Sequence, residues 1–451
     1  MNLWLIVSLI ITNYYNQNDK KLFEHLKIFI RMRLILIIIS LFLFTAVTPA
    51  QKSSKKKLYK TDLVSMYDES SFTKFSVEVY HTSNDTSIVY LAINLGDLLY
   101  LPGLQTGSHL ARFKIYYELF ENYEAKVSLD TASYIYTDDQ HYDSGGEMTI
   151  NFDIPAQSPN DYLLYINLID LNRETDNIVF RFYNIVKSNE YTAQNFLVTD
   201  NDGYPIFEKH ISPGQYFKIQ SNQMDTGQLF IRYYNRELPV ARTPFSTDKN
   251  AAFKFDPDSI YAVDVKDGFT DLLELPYHGI YHFQTSVAQT KGLTLFHFDD
   301  GFPDIGTPLQ AILPLRYLTT QKEYDALLNA ENYKAAVDNF WLSRATYQPE
   351  RAKNMIARYY QRVWDANMLF SSYQEGWKTD RGIIYIIYGP PSEVYRKNGE
   401  EEWVYGERNN PLSIKFYFYK IDNPFTQNDY GLQRQPTYKT SWYIAIENWR
   451  R

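Results

Sequence analysis

The chain has 451 residues, a formal net charge of −8 and no cysteine. The missing cysteines exclude disulfides, thiolate metal sites and lipid attachment at a cysteine, and the acidic balance disfavours binding to nucleic-acid phosphates. The 40 Tyr and 28 Phe residues favour a β-rich fold with rigid, partly wet contact surfaces.

The N-terminal region carries the pattern of a secretory signal peptide. Residues 32–50 contain a basic residue, an apolar stretch at 34–47 and small residues at their end. The stretch is short for a membrane span, but the lysine-rich segment 52–57 leaves a membrane anchor as the alternative. We expect translation to start at the methionine of this segment, residues 1–31 to be a gene-model extension, and the mature chain to begin at Gln51.

Residues 63–186 predict a first β-sandwich, because short alternating or apolar runs follow one another with turn residues between them. No helical periodicity interrupts the runs. The predicted strands are 75–80, 87–95, 111–120, 123–136, 149–154, 162–168 and 177–183. Seven strands in this length indicate an Ig-like sandwich.

Residues 190–298 show the same pattern and predict a second Ig-like sandwich, separated from the first near 187–189. The predicted strands are 195–199, 215–220, 226–234, 260–265 and 279–287. The first of them runs into Asp-Asn-Asp-Gly, which is typical of a hairpin turn.

Residues 303–451 predict an α+β domain with long helices and a small antiparallel sheet. Helical spacing covers 322–343, and a longer amphipathic helix opens at Pro349 and ends before Gly376. The predicted strands are 383–388, 402–405, 412–420 and 441–447. The first of these is apolar on both faces, so we expect it in the centre of its sheet.

A long string of residues in this last region has a recognisable form. Glu-Gly-Trp-Lys-Thr-Asp-Arg-Gly occupies 375–382, and Ile-Ile-Tyr-Ile-Ile-Tyr-Gly-Pro-Pro follows it directly. The string resembles the signature of the GWxTD domain, and flanking matches extend the resemblance over 313–449. The resemblance implies an exported protein of Bacteroidetes-type bacteria with a β-rich N-terminal part. It implies no chemistry.

The candidate binding residues of the signature are Trp377, Thr379, Asp380, Arg381, Gly389 and Pro390. In one interpretation they form a recognition surface for a peptide, a glycan or a partner protein. In the other they are structural: Trp377 anchors the helix end, and Arg381 pairs with Asp380 or with the acidic run 400–402. An aspartate beside an arginine is held ionised, which suits neither a general acid nor a general base. We therefore assign no catalytic residue.

Other candidate sites are weak, and we expect no metal and no cofactor. His278 and His282 are four residues apart, but metal binding at that spacing needs a helix and the surrounding residues indicate a strand. Two acidic groups have oxygen ligands that suit Ca²⁺, yet solvated turns explain them better. These groups are Asp299, Asp300 and Asp304, and Asp138, Asp139, Asp143 and Glu147.

Two classes of function follow from the sequence. The leading hypothesis is a non-catalytic periplasmic or outer-membrane-associated protein of the cell envelope, which binds an envelope protein or a glycan. Peripheral membrane association fits this hypothesis, and nucleic acid does not. The alternative is a hydrolase that acts on envelope polymers, with the C-terminal domain as its catalytic module.

Overall fold

A computed structural model describes residues 58–67, 75–103, 107–140, 146–175, 178–248 and 253–451. The expected extension at 1–31, the signal peptide at 32–50 and the mature N-terminus at Gln51 lie outside the described residues. Among the helices that are described, none combines the length and the apolar composition needed to cross a membrane.

The first module contains two antiparallel sheets. One has the strand order β1-β2-β6, and in the other β4 pairs with β3, β5 and β7, with β8 beyond β7. The strands are β1 Phe75–His81, β2 Ser87–Asn94, β3 Leu101–Pro102, β4 His109–Phe120, β5 Asp130–Gln140, β6 Glu147–Ile154, β7 Asp161–Asp170 and β8 Ile178–Val186. Each of the seven predicted runs of 63–186 overlaps a strand, but β5 begins at Asp130 instead of 123, and the short strand β3 is not among the predicted ones.

The core of the first module lies between its two sheets. Val79 and Leu91 of the first sheet and Phe113, Ile115 and Leu164 of the second belong to one buried cluster. Along most of these strands such residues alternate with more exposed neighbours, so one face of each sheet is apolar and packs on the other.

The second module forms one continuous path of seven antiparallel strands, in the order β15-β14-β11-β12-β13-β10-β9. The strands are β9 Phe196–Thr199, β10 Lys218–Ser221, β11 Gly227–Tyr234, β12 Ser259–Lys266, β13 Phe269–Thr270, β14 Gly279–Gln284 and β15 Leu293–His297. The short strand β13 pairs with both β10 and β12 and so joins the two halves of the path. A separate buried cluster, which includes Phe217, Leu229 and Phe283, forms the core of this module.

The C-terminal domain contains six α-helices and a four-stranded sheet in the order β16-β17-β18-β19. The helices are α1 Pro308–Ile312, α2 Gln321–Leu328, α3 Tyr333–Arg344, α4 Pro349–Phe370, α5 Asp380–Tyr388 and α6 Tyr438–Arg450. The strands are β16 Glu393–Lys397, β17 Glu400–Tyr405, β18 Ile414–Lys420 and β19 Tyr430–Leu432. Helix α4 has Pro349 in its first turn and 22 residues, as its sequence predicts.

Two predicted strands of this domain are helices instead. Residues 383–388 belong to α5, and residues 441–447 belong to α6. The apolar run of α5 has no polar face because neighbours surround the helix: all residues from Asp380 to Ile387 are buried. Nor does α4 extend to Gly376, since it ends at Phe370.

Both ends of α5 are satisfied by side chains. The Thr379 hydroxyl accepts a hydrogen bond from the Gly382 amide and caps the first turn. At the other end, Arg362 of α4 donates to the carbonyls of Ile386 and Ile387, at 3.1 and 3.3 Å. A cation beside the last carbonyls also favours the helix dipole. These contacts stabilise a helix of only nine residues.

The segment Leu58 to Tyr67, here called the N-terminal strap, packs on the C-terminal domain. Leu63 donates its amide to the Val394 carbonyl at 2.8 Å, and the Val394 amide donates to the Asp62 carboxylate at 2.9 Å. Leu58, Leu63 and Tyr67 belong to the buried core of that domain. The strap, both modules and the C-terminal domain therefore lie in one compact unit, residues 56–451.

Candidate functional site

The motif segment, residues 375–382, lies between α4 and α5, where backbones come into direct contact. A Cβ atom on Gly376 would lie 1.7 Å from the carbonyl oxygen of Ala366 on α4. A Cβ atom on Gly382 would lie 1.9 Å from the carbonyl oxygen of Gly376. Both glycines are therefore required by close approach of the chain to itself.

Trp377 is buried in the core of the C-terminal domain. Its amide donates to the Asn367 side chain at 3.2 Å, and its carbonyl accepts a hydrogen bond from the Tyr317 hydroxyl at 3.0 Å. The Lys378 ammonium lies 5.4 Å from the centre of its ring. These contacts support its predicted role as an anchor between α4 and α5.

Asp380 is the first residue of α5, and Arg434, which follows β19, holds its carboxylate. The two guanidinium nitrogens lie 2.5 and 3.0 Å from the two carboxylate oxygens. The Leu432 amide donates to the same carboxylate at 2.7 Å. This bidentate ion pair fixes the chain after β19 against the start of α5.

Arg381 makes contacts different from those of Asp380 and is almost fully buried. It donates to the backbone carbonyl of Asn428 at 2.9 Å and to the amide oxygen of the same residue. Its guanidinium lies 4.3 Å from the centre of the Tyr430 ring and 3.7 Å from Glu401. Of the two predicted pairings, the structure has the one with the acidic run.

Glu401 is the centre of a buried polar cluster that joins distant parts of the chain. One carboxylate oxygen accepts from the Tyr67 hydroxyl and the Trp403 indole, both at 2.6 Å. The other accepts from two nitrogens of Arg396, at 2.7 and 3.0 Å. Burial acts to raise the pKa of Glu401, but the Arg396 and Arg381 guanidiniums hold that pKa below its ordinary value.

Most of the predicted binding residues are thus interior residues. The side chains of Trp377, Thr379, Asp380 and Arg381 are buried, and so is Gly389. Gly389 has a φ of +87°, and a Cβ atom at this position would overlap the Arg362 guanidinium, so this turn needs glycine. Pro390 is exposed. In this arrangement the motif does not present a continuous surface to a partner, and its geometry supports the structural interpretation.

A cavity of about 750 Å³ lies where the two modules and the C-terminal domain meet. Each of the three contributes aromatic and polar side chains. Those used below are Glu78 and Phe182 from the first module, Lys209, His210 and Phe298 from the second, and Met368, Ser372, Arg396 and Phe425 from the C-terminal domain. The size falls in the range of ligand-binding pockets, roughly 300–1,000 Å³.

The polar groups of this central cavity include atoms without a protein partner. Ser372 is 3% exposed and its hydroxyl oxygen has no hydrogen-bond partner. Burial lowers the pKa of His210 to about 4, so its ring is neutral at neutral pH, and its Nε2 atom also lacks a partner. The cations are paired: Lys209 lies 2.9 Å from Glu78, and Arg396 binds Glu401. Unpartnered buried polar atoms beside an open volume indicate a place for ligand or water.

The two histidines considered as metal ligands lie in different surroundings. His282 is buried, and its ring nitrogens contact the Thr294 hydroxyl and the Thr290 carbonyl. His278 instead lies beside His297 and Asp300. In the acidic group at 138–147, which was considered for Ca²⁺, Asp138 accepts a hydrogen bond from the Tyr100 hydroxyl at 2.8 Å. Asp143 of this group lies outside the described residues.

Fold and motif together define a multidomain protein, with antiparallel sheets in its N-terminal part and a C-terminal domain of helices around a small sheet. Residues 279–451 match the GWxTD domain. The chain is thus a GWxTD domain-containing protein. The match begins at the first residue of β14, upstream of the expected start near 303. No curated protein matches the chain.

Sequence reasoning does not find most of the residues that hold the motif in place. Tyr67 lies far from the motif along the chain. Arg396 and Glu401 follow the motif in the strands β16 and β17, and Arg434 lies after β19. Of these, only Glu401 falls in a segment that the sequence singles out, the acidic run. The sequence around a single polar residue does not show whether its side chain is buried. No local signal therefore marks the other three residues.

Proposed function

We propose that this protein is a non-catalytic, extracytoplasmic protein of a Bacteroidetes-type cell envelope, which binds a partner protein or an envelope polymer in its central cavity. The observation that carries the proposal is the cavity at the junction of three parts of the chain. The signal-peptide pattern of residues 32–50 supports export, and the proposal includes peripheral membrane association through the bound partner.

The walls of the cavity suit an extended segment with both apolar and polar groups. Phe182, Phe298 and Phe425 provide flat aromatic faces, on which sugar rings and apolar side chains pack. The Ser372 hydroxyl is a free donor and acceptor in the same wall. A segment of a peptide or a glycan offers the amide, carbonyl or hydroxyl groups that such a wall would bind.

We further propose that both β-rich modules are sandwiches of the Ig-like kind. In the first module, a three-stranded sheet packs on a second sheet centred on β4 and β7, which supports this assignment. In the second module, the seven strands form one hydrogen-bonded path and share a single buried core, which supports the same assignment. Such modules position binding loops on a rigid frame.

The hydrolase alternative has less support. Glycosidic and similar hydrolysis needs carboxylates in two different protonation states at one cleft. Near the motif, Asp380 is held by Arg434 and Glu401 by Arg396, with the pKa of Glu401 lowered. The lowered pKa keeps Glu401 ionised at neutral pH, so this carboxylate cannot act as the general acid.

The proposal can be tested by photocrosslinking in the native cells. A photoreactive amino acid would replace Met368, which lines the cavity and is 49% exposed. A control would carry the same group at Leu412, which is 88% exposed and not in the cavity. We expect one defined protein or glycan product from the Met368 variant alone, in the envelope fraction.

Identical products from the two variants, or none from either, would refute a binding role for the cavity. Release of small fragments from envelope polymers by the purified protein would instead support the hydrolase. A cytosolic location in the same fractionation would refute the envelope assignment independently of the cavity.

A further inference from the structure

The hairpin of β14 and β15 brings two distant histidines side by side. Gly279, at the start of β14, pairs with His297 at the end of β15, so His278 lies next to His297 across the hairpin. The chain then turns at Gly301, which has a φ of +85°, and Asp300 in this turn faces both rings. Three possible ligands therefore converge although the two histidines are well separated along the chain.

The two imidazole rings stack with their centroids 4.6 Å apart, and the Nε2 atom of each lies near the Asp300 carboxylate. The Asp300 carboxylate lies 3.7 Å from Nε2 of His278 and 3.9 Å from Nε2 of His297. All three ligand atoms lie within 4.8 Å of one another. In a tetrahedral Zn²⁺ site with bonds of about 2.1 Å, two ligand atoms lie roughly 3.4 Å apart. Rotation of the His278 and Asp300 side chains, which are both exposed, would bring the ligand atoms to this distance.

The hydrogen bond of His297 leaves the correct nitrogen available. Its Nδ1 atom lies 2.8 Å from the Leu275 carbonyl, which can only accept, so Nδ1 carries the proton. The other nitrogen, Nε2, then has a lone pair on the side of Asp300. The side chain of His297 is only 5% exposed and Nε2 has no hydrogen-bond partner. A buried lone pair without a donor costs free energy unless a cation or water meets it.

His278 has a longer second contact. Its Nδ1 atom lies 3.5 Å from the carboxylate of Asp299, which leaves Nε2 on the side of Asp300. Metal-binding histidines commonly donate their second N–H to a carbonyl or a carboxylate, which fixes the ring and its tautomer. The Leu275 carbonyl makes this hydrogen bond with His297, and the Asp299 carboxylate lies 3.5 Å from Nδ1 of His278.

We propose that His278, His297 and Asp300 bind a divalent first-row transition-metal ion, with Zn²⁺ as the best fit. Two imidazoles and one carboxylate form a ligand set typical of Zn²⁺ and related ions, and exposure of the site leaves the fourth position to water. Hard ions such as Ca²⁺ need more oxygen ligands than this site offers. The ion would tie the turn at Gly301 to the hairpin. This proposal does not depend on the central cavity.

The test uses the whole mature chain with a histidine-free purification tag, stripped of metal with a chelator. Zn²⁺ would be titrated in competition with a chromophoric chelator, and Co²⁺ would report geometry through its visible absorption. We expect one Zn²⁺ per chain and a four-coordinate Co²⁺ spectrum. Asp300→Asn, at a side chain 77% exposed, should weaken binding at least tenfold with the fold intact.

Two further variants separate ligands from bystanders. His297→Gln should also lose binding, while His109→Gln, at an exposed histidine on β4, should bind as the wild type does. Zn²⁺ should raise the melting temperature of the wild type and of His109→Gln but not of Asp300→Asn. Binding by Asp300→Asn equal to the wild type, or no stoichiometric binding by the wild type, would overturn the proposal.

Discussion

Replacing Glu401 by Gln removes one negative charge from beside two guanidiniums, of which Arg381 is buried and Arg396 has 13% of its side chain exposed. Both guanidiniums would then lack this counter-charge, whereas the amide keeps the shape of the side chain and one acceptor oxygen. Breaking a buried ion pair by removing one partner typically costs about 3–5 kcal/mol. That is a large share of a typical stability of roughly 5–15 kcal/mol. We expect the urea midpoint of the protein to fall markedly, as followed by tryptophan fluorescence.

Glu400 offers a matched control on the same strand. Its side chain is 51% exposed and lies 3.9 Å from Lys397, so Glu400→Gln should change the free energy of unfolding by about 0.5 kcal/mol or less. Equal unfolding midpoints for the Glu401 and Glu400 variants would refute the assignment of Glu401 as the charge that stabilises the cluster.

The pH dependence gives a second measurement of the same group. The pKa of Glu401 is lower in the folded state than in the unfolded state. Its stabilisation is therefore complete above the unfolded value, about 4.3, and is lost as the pH falls through the lower folded value. The difference between wild type and Glu401→Gln should stay constant from about pH 8 to 5 and shrink below about 4.3. A difference that shrinks already near neutral pH would contradict this sign.

Two other variants test the motif itself by thermal unfolding of the protein. Trp377→Ala should lower the free energy of unfolding by about 3–5 kcal/mol, because it leaves a cavity at a buried site. Leu412→Ala, at an exposed position, should have little effect. Equal melting temperatures of the two variants would favour a role of Trp377 in recognition over one in anchoring. Gly382→Ala should prevent or severely impair folding, because its Cβ atom would overlap the Gly376 carbonyl. A Cβ atom on Gly146 meets nothing within 4 Å, so Gly146→Ala should fold normally. A stable Gly382→Ala protein would show that the contact relaxes easily.

Strands with alternating polarity and helices with a marked start can be predicted from the sequence. The β1 run Phe75–His81 alternates over its first residues, and α4 opens with a proline and repeats its apolar residues every three or four positions. The run of α5 contains almost only apolar residues, so it shows neither the two-residue alternation of a strand nor the spacing of about 3.6 residues of a helix. Thr379 followed by Asp380 is the available signal, because a threonine cap and an acidic first residue favour a helix start.

The last helix escapes prediction for a related reason. Trp442, Ile446 and Trp449 are buried at helical spacing in α6, but the β-branched and aromatic residues around them favour a strand. The candidate site is harder to predict. The motif is evident as a string, yet its partners and the cavity walls come from segments far apart in the chain, and only the tertiary structure brings them together.

The hydrogen bond from Tyr67 to Glu401 spans 334 positions of the chain. A ribosome makes the chain from its N-terminus, so the strap is complete long before the strand that receives it exists. The C-terminal domain closes its core only when both have been made. A chain cut short before β17 therefore lacks the carboxylate that accepts the hydrogen bond of Tyr67. The strap lies outside residues 279–451, which match the family. The core of the C-terminal domain therefore includes residues from a part of the chain that is made much earlier.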